Sequence, residues 1–120
     1  MTEDVFADRV AKVRRRFVST LEAKIDDACA AIPKLCGVAP PAAAAVAEAY
    51  RCMHGIVGIG RTVGFPATGR AAHEVEDVLR PPYHAGRGLT ADETSLLKSS
   101  LQALRAIAVR ELQSFHSLSR

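Results

Sequence analysis

One histidine stands in a glycine-rich stretch in the middle of the chain, where its side chain could act as a nucleophile. His54 is followed by glycines at positions 55, 58 and 60. Each glycine costs a helix interior about 1 kcal/mol relative to alanine, so such a run calls for the close approach of another backbone or of a partner surface. Gly58 lies one helical turn after His54 on the same face. The spacing therefore predicts an imidazole beside a patch without side chains, where another molecule can reach it.

The chemistry open to such a histidine is nucleophilic attack on a phosphoryl group. A free imidazole has a pKa of about 6.5, so at cytosolic pH it offers one unprotonated nitrogen. That nitrogen could form a covalent phosphohistidine. Arg51 and Arg61 lie three residues before and seven residues after His54. We expect these two arginines to help balance negative charge that arrives on the ring.

Composition and charge indicate one globular domain over residues 1–120. Hydrophobic residues make up 48% of the chain and charged residues 24%, which excludes wholesale disorder. The formal net charge is +3. The only dense basic cluster is Arg14-Arg15-Arg16, which acidic residues precede and follow. Because strong nucleic-acid binders concentrate basic charge on one face, we interpret this cluster as a solvated helix face and expect no nucleic-acid partner.

The cysteines and the hydropathy pattern point to a cytoplasmic protein without a metal site. Cys29, Cys36 and Cys52 form no Cys-x-x-Cys pair, and their odd number favours reduced thiols. Cys52 and His54 are two residues apart and point in different directions on a helix, which argues against a shared metal. The first residues do not resemble a signal peptide. No apolar run reaches the eighteen residues of a membrane span, so we expect no membrane association.

Apolar residues recur every three or four positions almost everywhere, which predicts four amphipathic helices. Prolines and glycines separate them, and Pro81 to Gly88 is predicted to be a loop. Thr90 and Glu93 have the spacing of a capping box at the start of the last helix. The four stripes are Phe6, Val10, Val13, Phe17, Leu21, Ile25, Ala28 and Ile32; Val46, Ala49, Met53, Ile56, Gly60 and Val63; Thr68, Ala71, Ala72, Val75 and Leu79; and Leu97, Leu101, Leu104, Ala108, Leu112 and Phe115.

Four helices with short connections, each apolar on one face, can bury those faces as an all-α, antiparallel up-down four-helix bundle. The second stripe places His54 at the border of the core, about 100° round the helix axis from the buried track. We therefore expect one side of the imidazole to be packed and the other to be wet.

The sequence around His54 resembles the histidine phosphotransfer (HPt) domains of bacterial phosphorelays. That family carries His-x-x-x-Gly followed by five residues and Gly, commonly with Phe next, on the second long helix of a four-helix bundle. His54, Gly58, Gly64 and Phe65 meet this pattern. Downstream, the segment Ala71 to Glu76 looks like the alanine-rich third helix of the family, which closes on an apolar-Glu pair.

The resemblance implies a phosphocarrier with His54 as phosphoacceptor and no ATP or kinase site of its own. The phosphoryl group would arrive from an aspartyl phosphate on a receiver domain, within a relay that begins at a hybrid histidine kinase, and would leave to a second response-regulator receiver. The receiver would supply Mg²⁺, so the chain would need no cofactor of its own. A monomer suits a surface that must dock receivers.

One position of the site departs from the family pattern, and the candidate docking residues have two possible roles. Many family members place lysine three residues after the phosphorylated histidine, whereas this chain has Val57. The role of that lysine would then fall to Arg61 or Arg51. Tyr50, Val57, Phe65 and Pro66 are candidates for docking a receiver helix, but packing at the edge of the bundle would account for them equally well.

Two other classes of function compete with the phosphocarrier. One is a structural or interaction module on the same fold that binds signalling partners without using His54. The other is an anion or nucleic-acid binder that uses Arg14 to Arg16, for which a steep salt dependence would be diagnostic. Among the other histidines, His73 is the first alternative phosphoacceptor, whereas His84 and His116 are expected to be solvated.

Overall fold

The predicted four-helix bundle is confirmed in the computed structural model, which describes residues 2–118 and the side chains of residues 4–117. Helix α1 runs over Thr2–Leu35, α2 over Pro40–Val63, α3 over Pro66–Ala85 and α4 over Ala91–Leu118. Each helix packs on the next one along the chain, and α1 closes the ring against α4. Position 1 and positions 119–120 of the predicted domain lie outside the described residues.

The predicted stripes line one continuous core, except at the beginning of α1. Leu21, Met53 and Leu104 are among its fully buried side chains. By contrast, Phe6 is 69% exposed and Val13 is 44% exposed, although both belong to the predicted stripe. The reason is length, because α1 has 34 residues and its neighbour α2 has 24. The N-terminal turns of α1 therefore extend beyond the end of the helix against which the rest of α1 packs.

The end of α3 differs from the prediction, which placed a loop from Pro81 onward. The helix instead continues through both prolines to Ala85. Proline lacks an N–H and normally breaks a helix interior, so the last turn needs support from elsewhere. Pro82 is buried, and the Tyr83 ring stacks on Tyr50 of α2 with centroids 4.2 Å apart. These contacts between helices hold the turn that the local sequence disfavours.

Helices α2 and α3 meet at a close backbone contact. A Cβ atom built on Gly60 would lie 3.3 Å from the carbonyl oxygen of Phe65 and 3.6 Å from the Cα of Gly69. The chain reverses between the two helices at Gly64, whose φ of +91° favours glycine. Gly60 thus serves the close approach that its presence in a helix predicted, and α3 lies near enough to α2 for their side chains to share a site.

Helix α3 is also fixed at its other side, by α4. The Glu111 carboxylate accepts hydrogen bonds from the backbone N–H groups of Ala67 (3.1 Å) and Thr68 (2.6 Å). These donors belong to the first turn of α3, where backbone N–H groups have no partner within the helix and the helix dipole favours negative charge. A side chain of α4 therefore caps α3 and sets its position in the bundle.

The capping box predicted at the start of α4 is confirmed. The Glu93 N–H donates to Thr90 Oγ1 (3.2 Å), and the Thr90 N–H donates to Glu93 Oε1 (2.9 Å). Arg87 adds two bonds to the same carboxylate, at 2.7 and 3.1 Å. Hydrogen bonding to Arg87 and, more weakly, to Thr90 lowers the pKa of Glu93 from its ordinary 4.5 to about 2.

This depressed pKa makes part of the stability depend on pH. The pKa of Glu93 is lower in the folded than in the unfolded protein, so its contribution is fully present above about pH 4.5 and is lost as the pH falls toward about 2. We expect Glu93→Gln to lose less unfolding free energy than the wild type between about pH 6 and about pH 3, measured by urea denaturation. Asp92→Asn, the same charge change in the same turn, should keep the wild-type slope. Parallel pH profiles for wild type and Glu93→Gln would contradict this account.

Candidate functional site

His54 lies in the middle of α2 on the side that faces α3, and its side chain is 72% exposed. One turn further along, Gly58 is exposed, and a Cβ atom built there would meet nothing within 4 Å among the described residues outside its own helix segment. A Cβ atom built on Gly55 would likewise meet nothing within 4 Å among those residues. The surface next to the imidazole is therefore open, as the spacing of His54 and Gly58 predicted.

A buried carboxylate of α3 holds one nitrogen of this ring. His54 Nδ1 lies 2.5 Å from Oε2 of Glu76, whose side chain is only 4% exposed. The sequence had marked Glu76 as the end of the alanine-rich segment without assigning it a role. A signal was present, because Glu76 follows Ala72 by four residues and precedes Leu79 by three, and so occupies a position of the apolar stripe.

The hydrogen bond to Glu76 decides which nitrogen can react. An ionised carboxylate only accepts hydrogen bonds, so the shared proton belongs to Nδ1 of the neutral ring. Nε2 is then the unprotonated nitrogen, on the opposite side of the ring from Glu76. A carboxylate in this position fixes both the tautomer and the orientation of an imidazole. Nε2 is therefore the nitrogen of His54 that is free to act as a nucleophile.

The imidazole lies next to a stack of two tyrosine rings. The ring of Tyr50, one turn before His54, lies nearly parallel to the imidazole at a centroid distance of 6.3 Å and an angle of 14°. Tyr83 stacks on Tyr50 with centroids 4.2 Å apart and an angle of 10°. Tyr50 is half-buried and links the end of α3 to the histidine. The structure thus gives Tyr50 a packing role at this edge of the bundle.

The cation next to the His54–Glu76 pair is Arg80, which no sequence pattern had indicated as a site residue. Its Nη2 lies 3.6 Å from Glu76 Oε1, and its Nη1 donates to the Asp77 carboxylate. Hydrogen bonds to Asp77 and then to the Tyr50 hydroxyl raise the pKa of Arg80 above its ordinary value. Arg80 lies one helical turn after Glu76 on α3.

The two arginines predicted to support His54 are on the surface of α2. Arg51 and Arg61 are both exposed, and neither forms an ion pair in the described part of the chain. The stem of Arg61 packs on α3, since a Cβ atom built on Gly69 would lie 3.3 Å from its Cγ. Their proposed charge role therefore has no contact to support it here.

The structure corrects two of the four predicted docking residues. Phe65 is 1% exposed because its ring packs between Phe17 (5.3 Å) and Phe115 (5.6 Å). Val57 is 8% exposed and belongs to the core. Neither side chain can contact a partner while the bundle is packed in this way. Pro66 is exposed and Tyr50 is half-buried, so these two remain available at the surface.

The other histidines and the cysteines of the described part of the chain lie apart from this pair or are partly buried. His73 Nδ1 lies 3.5 Å from Asp77, and the His73 side chain is 44% exposed. Burial raises the pKa of the Cys52 thiol, which makes this cysteine less reactive. Within residues 2–118, no three histidine, cysteine or acidic side chains group as metal ligands would. Over the same range, no helix has the length and apolarity to cross a membrane.

The site is thus an exposed histidine on a four-helix bundle, held at Nδ1 by a buried carboxylate. The family model described as "Hpt domain" matches residues 12–107 of the 120, and the chain belongs to this family. Neither the curated proteins nor the solved structures contain a match. Hpt domains work with receiver domains in phosphorelays, and membership supports a histidine phosphotransfer role for this chain.

The bond between His54 and Glu76 makes a spectroscopic prediction. In the wild type above about pH 8, ¹⁵N-detected NMR of the ring should show the proton on Nδ1. In Glu76→Gln the amide can also donate, so we expect a substantial share of the Nε2-protonated tautomer. Glu74→Gln, an exposed neighbour on α3, should leave the wild-type pattern. An unchanged tautomer in Glu76→Gln would show that Glu76 does not fix the ring.

Proposed function

We propose that His54 accepts a phosphoryl group from the aspartyl phosphate of one receiver domain and passes it to the aspartate of another. The observation that carries this proposal is the exposed imidazole with Nδ1 bound to a buried Glu76 at 2.5 Å. The position of His54 in the His-x3-Gly-x5-Gly pattern of the Hpt family supports the same residue.

The transfer step follows from the assignment of the ring proton. The lone pair of Nε2 attacks phosphorus while the bond between phosphorus and the aspartyl oxygen breaks, and the aspartate leaves as a carboxylate with that electron pair. The proton on Nδ1 stays in place. The ring thus gains a positive charge as the new N–P bond forms, and Glu76 lies at the nitrogen where it can stabilise that charge. Onward transfer is the reverse step with a second receiver.

Positioning and charge stabilisation account for most of the catalysis of phosphoryl transfer, so the division of labour between partners matters. In the proposed relay the receiver contributes Mg²⁺ and the phosphorylated aspartate, and this chain contributes an oriented, accessible nitrogen. No cofactor of its own enters the step. The group that meets the phosphoryl oxygens in place of the common lysine at Val57 would come from the receiver or from a nearby arginine.

The partners follow from this chemistry. We propose that receivers dock over the α2–α3 face around His54, where Gly58 lets the receiver backbone come close and Pro66 and the edge of Tyr50 are accessible. The first receiver would belong to a hybrid histidine kinase. A monomeric, cytoplasmic carrier would give both receivers access to the same face in turn.

The decisive comparison is phosphate uptake by wild type, His54→Gln and His73→Gln. Each protein is incubated with a panel of phosphorylated receivers and, in parallel, with phosphoramidate, a small donor that needs no docking surface. Intact mass should show one acid-labile phosphate on the wild type and on His73→Gln, and none on His54→Gln. Thermal unfolding by circular dichroism checks that all three proteins fold, because His54→Gln changes a hydrogen-bond partner of the buried Glu76 carboxylate, to which the glutamine amide can still donate.

Other results would redirect the proposal. Label on His54→Gln together with its loss from His73→Gln would move the phosphoacceptor to His73. A wild type that takes no phosphate from either kind of donor, while His54→Gln retains its biological activity, would favour the interaction module instead. Binding of nucleic acid is a poorer alternative, because Arg14 of the basic cluster donates its Nε–H to the Val63 carbonyl (2.8 Å) and helps hold α1 on α2.

A further inference from the structure

Arg80 contacts both groups that hold the His54 ring. Its guanidinium lies 3.6 Å from the free oxygen of Glu76, and hydrogen bonding to the Tyr50 side chain is, after that to Asp77, a cause that raises the pKa of Arg80. Glu76 binds His54 Nδ1, and Tyr50 lies parallel to the imidazole. The Nη1 of Arg80 is anchored by Asp77 on its own helix. Arg80 therefore connects the two residues that lie next to the imidazole, the acidic Glu76 and the aromatic Tyr50.

The charges near His54 come from two helices. On α3 they are Glu76, Asp77 and Arg80, with His73 beside Asp77. On α2 the exposed Arg51 lies three residues before the histidine.

Helix α1 packs on the other side of α2, and its charged residues Lys24 and Asp27 line the opposite groove beside Cys52. They therefore do not face His54. Among the described cations, only Arg80 forms an ion pair with Glu76.

We propose that Arg80 is a positioning residue for phosphoryl transfer, which holds Glu76 and Tyr50 against the His54 ring and offsets the charge of Glu76. The proposal rests on the proposed role of His54 as phosphoacceptor. It assigns the cation of this site to α3, whereas the sequence alone had pointed to Arg51 or Arg61 on α2.

Two separate effects follow from this placement. The first effect is electrostatic. Without the positive charge of Arg80, the negative charge of Glu76 is no longer offset and holds a second proton on the imidazole more strongly. The reactive neutral ring then forms only at higher pH. The second is geometric: Glu76 and Tyr50 each lose a partner, and the ring is less well oriented at every pH. The midpoint of the pH–rate profile reports the first effect, and the rate on the high-pH plateau reports the second.

The test uses phosphoramidate as donor, so that docking of a receiver does not enter the measurement. Single-turnover phosphorylation of the full chain is followed by intact mass between about pH 5.5 and about pH 9. Arg80→Gln removes the charge, and Arg80→Lys keeps the charge without the planar fork. Arg70→Gln is the matched control, because Arg70 is exposed on the same helix and lies ten residues from Arg80, about 15 Å along the axis.

We expect Arg80→Gln to raise the midpoint by about half a pH unit, the effect of one charge in a water-like dielectric, and to lower the plateau about threefold or more. Arg80→Lys should restore the midpoint but not the plateau. Arg70→Gln should match the wild type in both. Urea denaturation of each variant shows whether any loss of rate reflects unfolding, which would not move the midpoint.

The outcomes distinguish this inference from the proposed function. A wild type that phosphoramidate labels at His54, together with an Arg80→Gln profile equal to that of Arg70→Gln, overturns the role of Arg80 and leaves the phosphocarrier intact. A lowered plateau with no shift of midpoint, not restored by lysine, removes the electrostatic part of the role. A wild type without label at His54 overturns the proposed role of His54 as phosphoacceptor.

Discussion

The hydrogen bond between His54 on α2 and Glu76 on α3 is the constraint on which the rest of the structure depends. A carboxylate that is 4% exposed is costly to bury unless it is paired, and here its partners are the imidazole and the Arg80 guanidinium. The pairing requires the two helices to approach closely and in one register. The glycine contact between Gly60 and Gly69 permits that approach, and so the same packing that closes the core also orients the histidine.

Much of the remaining fold serves to hold α3 in that register. Glu111 caps its first turn from α4, and Phe65 anchors the preceding reversal in the core. At the far end the stack of Tyr83 on Tyr50 keeps the last turn helical past two prolines. Each of these contacts joins α3 to another helix, which leaves the exposed imidazole as a group on a rigid face. A rigid face suits a carrier, because transfer depends on placing one nitrogen in line with phosphorus.

The local patterns of the sequence were sufficient for the four helices, apart from the last turn of α3, and for the open surface beside His54. Helical periodicity gave the four stripes, the Thr90–Glu93 spacing gave the start of α4, and the glycine after His54 gave its open surface. These features involve residues within a turn or two of one another, where spacing along the chain fixes spacing in space. They also carry the Hpt resemblance, which the family match over residues 12–107 confirms.

What only the tertiary structure decided is which distant residues meet. The sequence determined that His54 is presented on a helix face, but Glu76 is 22 residues away, and its pairing depends on the rotation and register of α3 against α2. The same packing placed Arg80 beside Glu76 and buried Phe65. A helical pattern shows which face is apolar, whereas the partner of each side chain depends on how two faces interlock, and that is a property of the packed core.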